Sequence, residues 1–594
     1  MGQRLFKFHL FLFLALIVLS SCQSKEAPSI FVIAVDDLPV TDIQCNEDLL
    51  QKNHSGFAEL CKNSVRFTHF FTSSVLSLPA LTSLLTGYYP FDHKVRNNGD
   101  FLEPEILSAP ELALQKNYRT SFFSGGPSVL KKSNLHQGFE IFDDHFVVAK
   151  DKIHRPFQRS LDLFTEWLES EVGSQPFFSV IYAPDLSLVK KSISTDVNAD
   201  FGENRATDLN PALDEFDEKL FSLIELLKKQ KKWNSIYFVL VGLNGKGYND
   251  RADEFAKINL HSENTQTALF IKVPSKPRDE GLAWKTDTNF SMADLGLTLL
   301  KMIDPNYKNP VLSDSSPFKT FHFLDRLKAQ TPNVEIAHPI PIETQLQISP
   351  IEKRTRYALI KEHMLYIEKD QWESFNTLSD RLETNPVVVE DLAARPSLAP
   401  YLAFLSKKRN GPWEHPSALT LRYESLSQNL WIQNKKEAEL IAQLKTLLSE
   451  APKNIEIKSW LTRLLFEKRN WAELYQLTKD DATYKSLAYL SQKKLKNPKL
   501  TALTDICLQS LEIESFSASD LKRCPEAASQ LVLQYKFADQ LGLEKDVMAK
   551  RLEQLNSQRE IDLHIARLNR TLSGVWWLNP SADPALQMFE LLQH

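Results

Sequence analysis

Up to about residue 400 the chain alternates between apolar and polar blocks. The longest apolar blocks read IFVIAV at 30–35, FFSVIY at 177–182 and IYFVLV at 236–241. Continuous apolar runs of this length are typical of strands that are buried on both faces, as in a parallel sheet. The segment 214–230, between the second and third blocks, reads as a helix. Strand, helix and strand in alternation predict an α/β domain with a mostly parallel central sheet flanked by helices.

Polar and turn-forming residues follow the first block closely. Asp36 and Asp37 end it, and a short helix is predicted from Pro79 to Thr86, with Gly87 directly after it. Proline is favoured in the first turn of a helix and glycine just past its end. Two carboxylates at the C-terminal end of a central strand suit a divalent cation, because ligands of open α/β sheets collect at that edge. The simpler interpretation of an isolated pair is an acidic turn.

The pattern changes beyond about residue 400, where strand-like blocks disappear and Leu, Ala, Lys and Glu dominate. The segments 434–450, 454–469 and 470–478 read as helices joined by short turns, with Pro452 in one turn. They predict an all-α domain over 396–594. The helices resemble tetratricopeptide-type hairpins, whose period is about 34 residues, but a plain α-helical domain fits them equally well. Such helical stacks bind protein partners or pack on their own chain.

The N-terminus has the pattern of an export signal. Arg4 and Lys7 precede an apolar run at 11–19, and small residues follow. The run is short for a membrane span, which needs about 20 apolar residues. A basic flank, an apolar stretch and small residues together predict a secretory signal peptide at 1–21.

The sequence Leu19-Ser20-Ser21-Cys22 resembles a bacterial lipobox. The resemblance implies that Cys22 is lipidated, that 22–28 is a tether, and that the protein is held at the membrane of the bacterial cell envelope by its lipid. Gln23 after the cysteine is similar to the enterobacterial sorting pattern for the outer membrane. An ordinary signal peptide with an unrelated cysteine is the alternative.

Composition narrows the range of functions. The chain has 594 residues, which predicts more than one domain. The net charge is −5 and no basic run stands out, so nothing indicates a nucleic-acid partner. Glycine is scarce, with 17 residues, which argues against a glycine-rich nucleotide-binding loop.

Four further cysteines fall in two sequence-local pairs, Cys45 with Cys61 and Cys507 with Cys524. Export would permit disulfides in these pairs. Free buried thiols are the alternative, because neither spacing is diagnostic.

The most specific segment is 74–99, which reads SVLSLPALTSLLTGYYPFDHKVRNNG. It resembles the sulfatase signature, in which a Cys, Ser or Thr nucleophile stands two residues before a proline, followed by S-L-L-T-G-x-Y-P and H-G-V. Ser77 falls at the nucleophile position. The resemblance implies a sulfatase-like domain of the alkaline phosphatase superfamily, with Ser77 at a helix N-terminus, where backbone N–H groups favour an anion.

Further matches to the sulfatases follow in order along the chain. They lie at 117–144, 217–241, 293–300 and 373–386. The last of these resembles the family's C-terminal stretch E-L-Y-D-L…D-P. Several ordered matches are more specific than any one of them, and together they place the sulfatase-like domain at 29–395.

The second metal motif departs from the family. Where sulfatases have S-D-H-G or S-D-N-G after a strand, residues 242–245 read GLNG. Leu243 takes the place of the aspartate and cannot bind a metal, whereas Asn244 can still offer an amide oxygen. The resemblance therefore implies Asp36, Asp37 and Asn244 as ligands, for Ca²⁺ or a similar divalent ion if the domain is active and for none if it is not. No motif indicates that Asp250 or His261 compensates.

Three other departures follow, and two of them remove positive charge. Leu81 replaces the basic residue of the signature, Lys94 replaces the glycine after His93, and Gly125-Gly126-Pro127 stands where many members have a lysine and a histidine. Because Leu81 also breaks the pattern for conversion to formylglycine, Ser77 is expected to remain a serine. Losing several groups that stabilise transition-state charge should leave little turnover.

Three hypotheses follow. In the first, the domain is a pseudoenzyme that binds a ligand or partner at the envelope. In the second, it is an active sulfuric or phosphoric ester hydrolase, or a phosphotransferase, that uses Ser77. In the third, the helical C-terminal region is an interaction module and the N-terminal domain is its scaffold. Metal content discriminates best, because only the second hypothesis needs a tightly held divalent ion.

Overall fold

A computed structural model shows the fold of most of the chain. The residues that it describes are 27–126, 128–145, 154–172, 175–188, 210–246, 259–275, 284–310, 316–329, 338–347, 353–369, 371–390, 395–408, 437–453, 455–481, 484–495, 509–510, 514–524 and 527–554. Cys22, Asp250 and Cys507 therefore lie outside the described residues.

An eight-stranded mixed sheet forms the centre of the N-terminal domain, with the strand order β5-β4-β6-β1-β7-β8-β2-β9. Its strands are β1 (Ser29–Val35), β2 (Val65–Phe67), β4 (Arg119–Ser124), β5 (Ile141–Asp143), β6 (Phe177–Ala183), β7 (Ile236–Gly242), β8 (Leu269–Lys272) and β9 (Trp284–Thr286). Strands β5, β4, β6, β1 and β7 are parallel to one another, and β8 runs antiparallel to its neighbours. The predicted, mostly parallel sheet is confirmed. The strands β3 (Phe70–Phe71) and β10 (Phe290–Ser291) pair separately.

The predicted apolar blocks are the three central strands, and β1 lies between β6 and β7. Alternate side chains of β1 enter two different cores, with Val32 on one face of the sheet and Ile33 on the other. A strand covered on both faces needs apolar residues at every position, which explains the unbroken runs.

Helices cover both faces of this sheet. In the N-terminal domain they are α1 (Glu47–Gln51), α2 (Gly56–Asn63), α3 (Ser77–Thr86), α4 (Pro90–His93), α5 (Ala109–Gln115), α6 (Phe157–Trp167), α7 (Asn210–Lys229), α8 (Ser262–Thr265), α9 (Met292–Ile303) and α10 (Leu324–Ala329). Helices α3 and α9 pack on one face, through a core that includes Leu81 and Leu299. Helices α6 and α7 pack on the other, through a core that includes Phe164 and Leu220.

Helix α3 is the predicted capped helix, extended by two residues at its start. Gly87 follows it with φ 72° and donates its backbone N–H to the carbonyl of Ser83. A left-handed residue at this position favours glycine, and a side chain here would also meet the backbone of Leu297 on α9.

A second sheet of five antiparallel strands follows the first, and the sequence analysis did not identify it as a separate layer. Its strands, in spatial order, are β11 (Ile340–Gln347), β12 (Lys353–Lys361), β13 (Met364–Glu368), β14 (Trp372–Asn376) and β15 (Val387–Val388). One face packs against the loops that precede α3, in a cluster that includes Val75 and Ile342.

The described residues beyond 395 are helical and contain no strand. The helices are α11 (Ala399–Lys408), α12 (Glu437–Glu450), α13 (Ile455–Glu467), α14 (Trp471–Thr478), α15 (Lys485–Lys494), α16 (Ala518–Leu521), α17 (Ala527–Lys536) and α18 (Ala538–Leu541). The three helices predicted within 434–478 are confirmed. Helices α12 to α15 share a core that includes Leu444 and Leu461. The tetratricopeptide resemblance and the domain boundaries stay predictions.

A disulfide joins Cys45 and Cys61, and ties the loop after β1 to α2. Cys524 is also disulfide-bonded. For these cysteines the alternative of free buried thiols is wrong. Within the described part of the chain, no helix is long and apolar enough to cross a membrane.

Candidate active site

The carboxyl end of β1 carries Asp36 and Asp37 at the centre of the sheet. The backbone N–H of Asp36 still donates to the carbonyl of Ala183 on β6, at 3.0 Å. Asp37 then leaves the strand with φ 55°, in the left-handed region. Both aspartates are only 4% exposed. Two neighbouring carboxylates are thus held out of water, where charge is costly without compensation.

Ser77 lies directly above this strand end. It is the first residue of α3, and its hydroxyl donates a hydrogen bond of 2.9 Å to Oδ2 of Asp36. The structure therefore brings together the predicted nucleophile and one predicted metal ligand, which are 41 residues apart in sequence. This convergence follows from a helix N-terminus that faces the carboxyl ends of parallel strands.

Tyr182, which the sequence analysis did not single out, completes this cluster. Its phenol donates a short hydrogen bond to the same Oδ2 of Asp36. Burial, together with the negative charge of Asp36, raises the pKa of Tyr182 well above its ordinary value. The phenol is therefore a permanent hydrogen-bond donor. Its position near the end of the apolar block at 177–182 was the only signal in the sequence.

Asn244 joins the cluster from the end of β7. Its side-chain oxygen accepts the backbone N–H of Asp37 at 2.9 Å. Its amide nitrogen donates to Oδ1 of Asp37 at 3.3 Å and to the carbonyl of Val75 at 3.1 Å. Asn244 thus braces the turn at Asp37, and its oxygen already has a donor.

Leu243 is fully buried, as its place in the sequence suggested. Its side chain lies in the same core as Leu78 of α3, and its backbone N–H donates to the carbonyl of Val35. The residue that replaces the family's aspartate is thus an ordinary core residue. No carboxylate enters the cluster from this position.

The N-terminus of α3 is partly capped. The backbone N–H of Leu78 donates to Oδ1 of Asn98 at 2.9 Å, and Pro79 has no N–H to offer. Asn98 also contacts Ser128 at 3.4 Å. Fewer free N–H groups therefore face the site than an uncapped helix would present to an anion.

His93 supplies no charge to this cluster, and the ring of His261 is engaged by a carboxylate. Burial lowers the pKa of His93 to about 3, and its ring bonds to the N–H of Val95 and to Ser83. His261 lies 2.7 Å from Glu383, which is also buried. Of the two residues considered as compensating ligands, His261 is held by Glu383, and Asp250 lies outside the described residues.

Among the described residues, the donor set at the strand end does not fit a divalent cation of the kind that sulfatases use. Such an ion takes six or more oxygen ligands, several of them carboxylates. Here Asp36 accepts two hydroxyl hydrogens, the oxygen of Asn244 accepts an N–H, and Leu243 offers none. Among the described residues, no three His, Cys, Asp or Glu side chains are grouped so as to hold a metal.

Comparisons with known proteins agree on the fold. Residues 28–304 match the sulfatase family model. The matched range ends before the second sheet begins. No curated protein matches the chain. The N-terminal domain therefore has a sulfatase-like α/β fold.

Solved structures with a similar chain path include three bacterial proteins. A phosphonate monoester hydrolase of Agrobacterium radiobacter is 13% identical, with a TM-score of 0.44 over 64% of this chain and 94% of that one. SpPMH, a phosphonate monoester hydrolase from Silicibacter pomeroyi, is 15% identical, with a TM-score of 0.44 over 64% and 94%. A Bacteroides thetaiotaomicron protein, described with the metabolism of multiple glycosaminoglycans, is 14% identical, with a TM-score of 0.48 over 64% and 97%.

Proposed function

We propose that the chain, whose residues 28–304 match the sulfatases, is a lipid-anchored envelope protein with a degraded metal site that acts as a binding pseudoenzyme. The observation that carries this proposal is the fully buried Leu243, which leaves two carboxylates and one engaged amide where a metal would need more. Without a divalent ion, little remains to stabilise charge on a transferring sulfuryl or phosphoryl group.

Two features support an exported, anchored protein. The disulfide between Cys45 and Cys61 is typical of an oxidising compartment, as outside the cytoplasm. The lipobox-like segment that ends at Cys22 supplies an anchor, and Gln23 favours the outer membrane. The described C-terminal helices offer a surface for a protein partner.

The second candidate function is hydrolysis or phosphoryl transfer by Ser77. The hydrogen bond from Ser77 to Asp36 favours it, because a carboxylate can take the proton of an attacking hydroxyl. This candidate needs positive charge near the reacting group. Among the described residues around Ser77, hydrogen bonds come from neutral hydroxyls, amides and backbone N–H groups.

Turnover and metal content together test the proposal. Purified wild-type protein should contain no stoichiometric divalent ion by mass spectrometry, and should hydrolyse aryl sulfate and aryl phosphate esters no faster than Ser77→Ala. Ser83→Ala, another hydroxyl within α3, is the matched control for the substitution. Substantial turnover that Ser77→Ala abolishes and Ser83→Ala does not would establish the hydrolase instead.

A further inference from the structure

We infer that the amino edge of the central sheet, where its parallel strands begin, is a docking surface for an anionic bilayer. The site at Asp36 and Ser77 then lies on the side of the domain away from the membrane. This inference rests on the proposed lipid anchor at Cys22. The surface that meets the bilayer decides the phase from which the site receives its ligand.

The start of β1 is held firmly at the amino edge. The phenol of Tyr118, just before β4, donates to the carbonyl of Pro28 at 3.3 Å. The backbone N–H of Phe177, the first residue of β6, donates to the hydroxyl of Ser29 at 3.1 Å. On the other side, Ser29 pairs in register with Ile236, the first residue of β7. The proposed tether therefore joins the domain between the first residues of β6 and β7.

The length of the tether limits how the domain can face the membrane. Residues 23–28 can span at most about 22 Å when fully extended. Strand β1 has 7 residues, so Asp36 lies about 23 Å beyond Ser29 at the usual rise per residue. If the carboxyl edge faced the bilayer, the tether would have to span the length of β1 and the loops beyond it. The tether is too short for that orientation.

Exposed lysines favour the amino edge as the surface that meets the lipid. Because β6 ends at the carboxyl edge and β7 begins at the amino edge, the connection between them returns along the sheet. Helix α7 lies in this connection and ends at Lys229, and Lys231 follows before β7. Both lysines are exposed. Lysines close to a bilayer are attracted to anionic headgroups, and this attraction adds to the hold of a lipid anchor.

This orientation separates the candidate site from the anchoring membrane. Asp36 and Ser77 lie where β1 ends, whereas the tether joins the domain where β1 begins. A lipid of the anchoring leaflet would have to leave the bilayer to reach them. The ligand of the proposed pseudoenzyme is therefore water-soluble and does not come from that bilayer.

Two matched serines allow the orientation to be measured. Ser235 lies in a short helical turn directly before β7, and Ser187 lies in a similar turn just after β6. Each hydroxyl donates to a carbonyl three residues earlier, that of Lys232 for Ser235 and that of Pro184 for Ser187. Ser235→Cys and Ser187→Cys therefore make the same small change at opposite edges of the sheet.

The test uses the full-length protein, purified from bacterial membranes with its lipid. Each thiol is labelled with a donor dye, and the protein is reconstituted into vesicles of phosphatidylethanolamine and phosphatidylglycerol with an acceptor dye on the headgroups. Wild type taken through the same labelling measures the background. Energy transfer should be at least about twofold more efficient from Ser235→Cys than from Ser187→Cys, because the two positions are separated by about the length of a strand.

The contribution of charge is measured in the Ser235→Cys protein. Changing Lys229 and Lys231 together to Gln should lower its energy transfer, and so should vesicles of phosphatidylcholine alone. The matched control changes Lys94 and Lys131 to Gln, which are exposed lysines in the loops after α4 and β4, and it should leave the transfer unchanged. Equal effects of the two pairs would remove the anionic bilayer as the partner of the amino edge.

Mass spectrometry of the N-terminal peptide distinguishes the remaining outcomes. If Cys22 carries no lipid, the proposed anchor is wrong, and the inference is wrong with it. If Cys22 is lipidated but energy transfer is equal from both thiols, or stronger from Ser187→Cys, the inference is wrong and the anchored pseudoenzyme stands. If Ser235→Cys fails to fold, Gln175→Cys carries the same comparison, because Gln175 is exposed and lies just before β6.

Discussion

Arg96 and Glu343 form a buried two-point ion pair between the loop after α4 and strand β11 of the second sheet. Nε of Arg96 lies 2.7 Å from Oε1 of Glu343, and Nη2 lies 2.8 Å from Oε2. Arg96 also bonds to Tyr357 on β12 and to the carbonyl of Lys408 at the end of α11. Arg96 thus joins the loop after α4 to the second sheet and to α11. The same loop carries Asn98, whose side chain caps α3.

Replacing Arg96 with Met should destabilise the protein strongly. The change leaves the carboxylate of Glu343 buried without its partner, and such losses cost about 3–5 kcal/mol. Urea unfolding, followed by tryptophan fluorescence, measures the difference. The double variant Arg96→Met with Glu343→Leu should recover most of the stability, and a double variant as unstable as the single one would contradict this account.

Replacing Leu243 with Asp should also destabilise the protein, because it places a carboxylate at a fully buried position. The expected cost is several kcal/mol, on the order of 3, in the absence of metal. Calcium should recover part of it, since the new carboxylate follows β7 next to the aspartates. Leu243→Asn, which has a similar size and no charge, should lose stability without any calcium response in thermal unfolding. Equal responses of the two variants would contradict this prediction.

Lys272 should make stability depend on pH. Burial lowers the pKa of Lys272 to about 7, from an ordinary value of 10.5. Between these values the unfolded chain binds the proton and the folded chain does not, so the free energy of unfolding should rise with pH across that range. The rise should be about 5 kcal/mol, and it should disappear in Lys272→Met. Urea unfolding at a series of pH values measures it, and an unchanged slope in Lys272→Met would assign the effect to other groups.

The lipid anchor is tested at Cys22. Changing Cys22 to Ala should block lipidation and release the protein from the membrane fraction, because the lipid on Cys22 is the proposed anchor. Fractionation and immunoblotting measure the distribution, with Cys45→Ala as the control that removes a cysteine but leaves the anchor. A Cys22→Ala protein that stays in the membrane with normal processing would place the anchor elsewhere.

Local sequence determined the central strands and the start of the site. The blocks at 30–35, 177–182 and 236–241 are apolar at successive positions because both faces of each strand are covered. Burial on both faces can therefore be predicted from the local sequence. The meeting of Asp36, Ser77 and Asn244 was also predictable. Carboxyl ends of parallel strands share one edge of a sheet, whatever the spacing in sequence.

Tertiary structure alone decided the rest. The sequence analysis did not predict the second sheet because its strands carry interleaved polar residues, and their antiparallel pairing joins positions that no local pattern connects. The bond from Tyr182 to Asp36 depends on β1 lying beside β6. That spatial order is not the order in sequence, because each crossover can place the next strand on either side of the last. The sequence therefore identified Leu243 as the departure from the sulfatase metal motif, and only the fold showed which side chains surround Asp36 and Asp37.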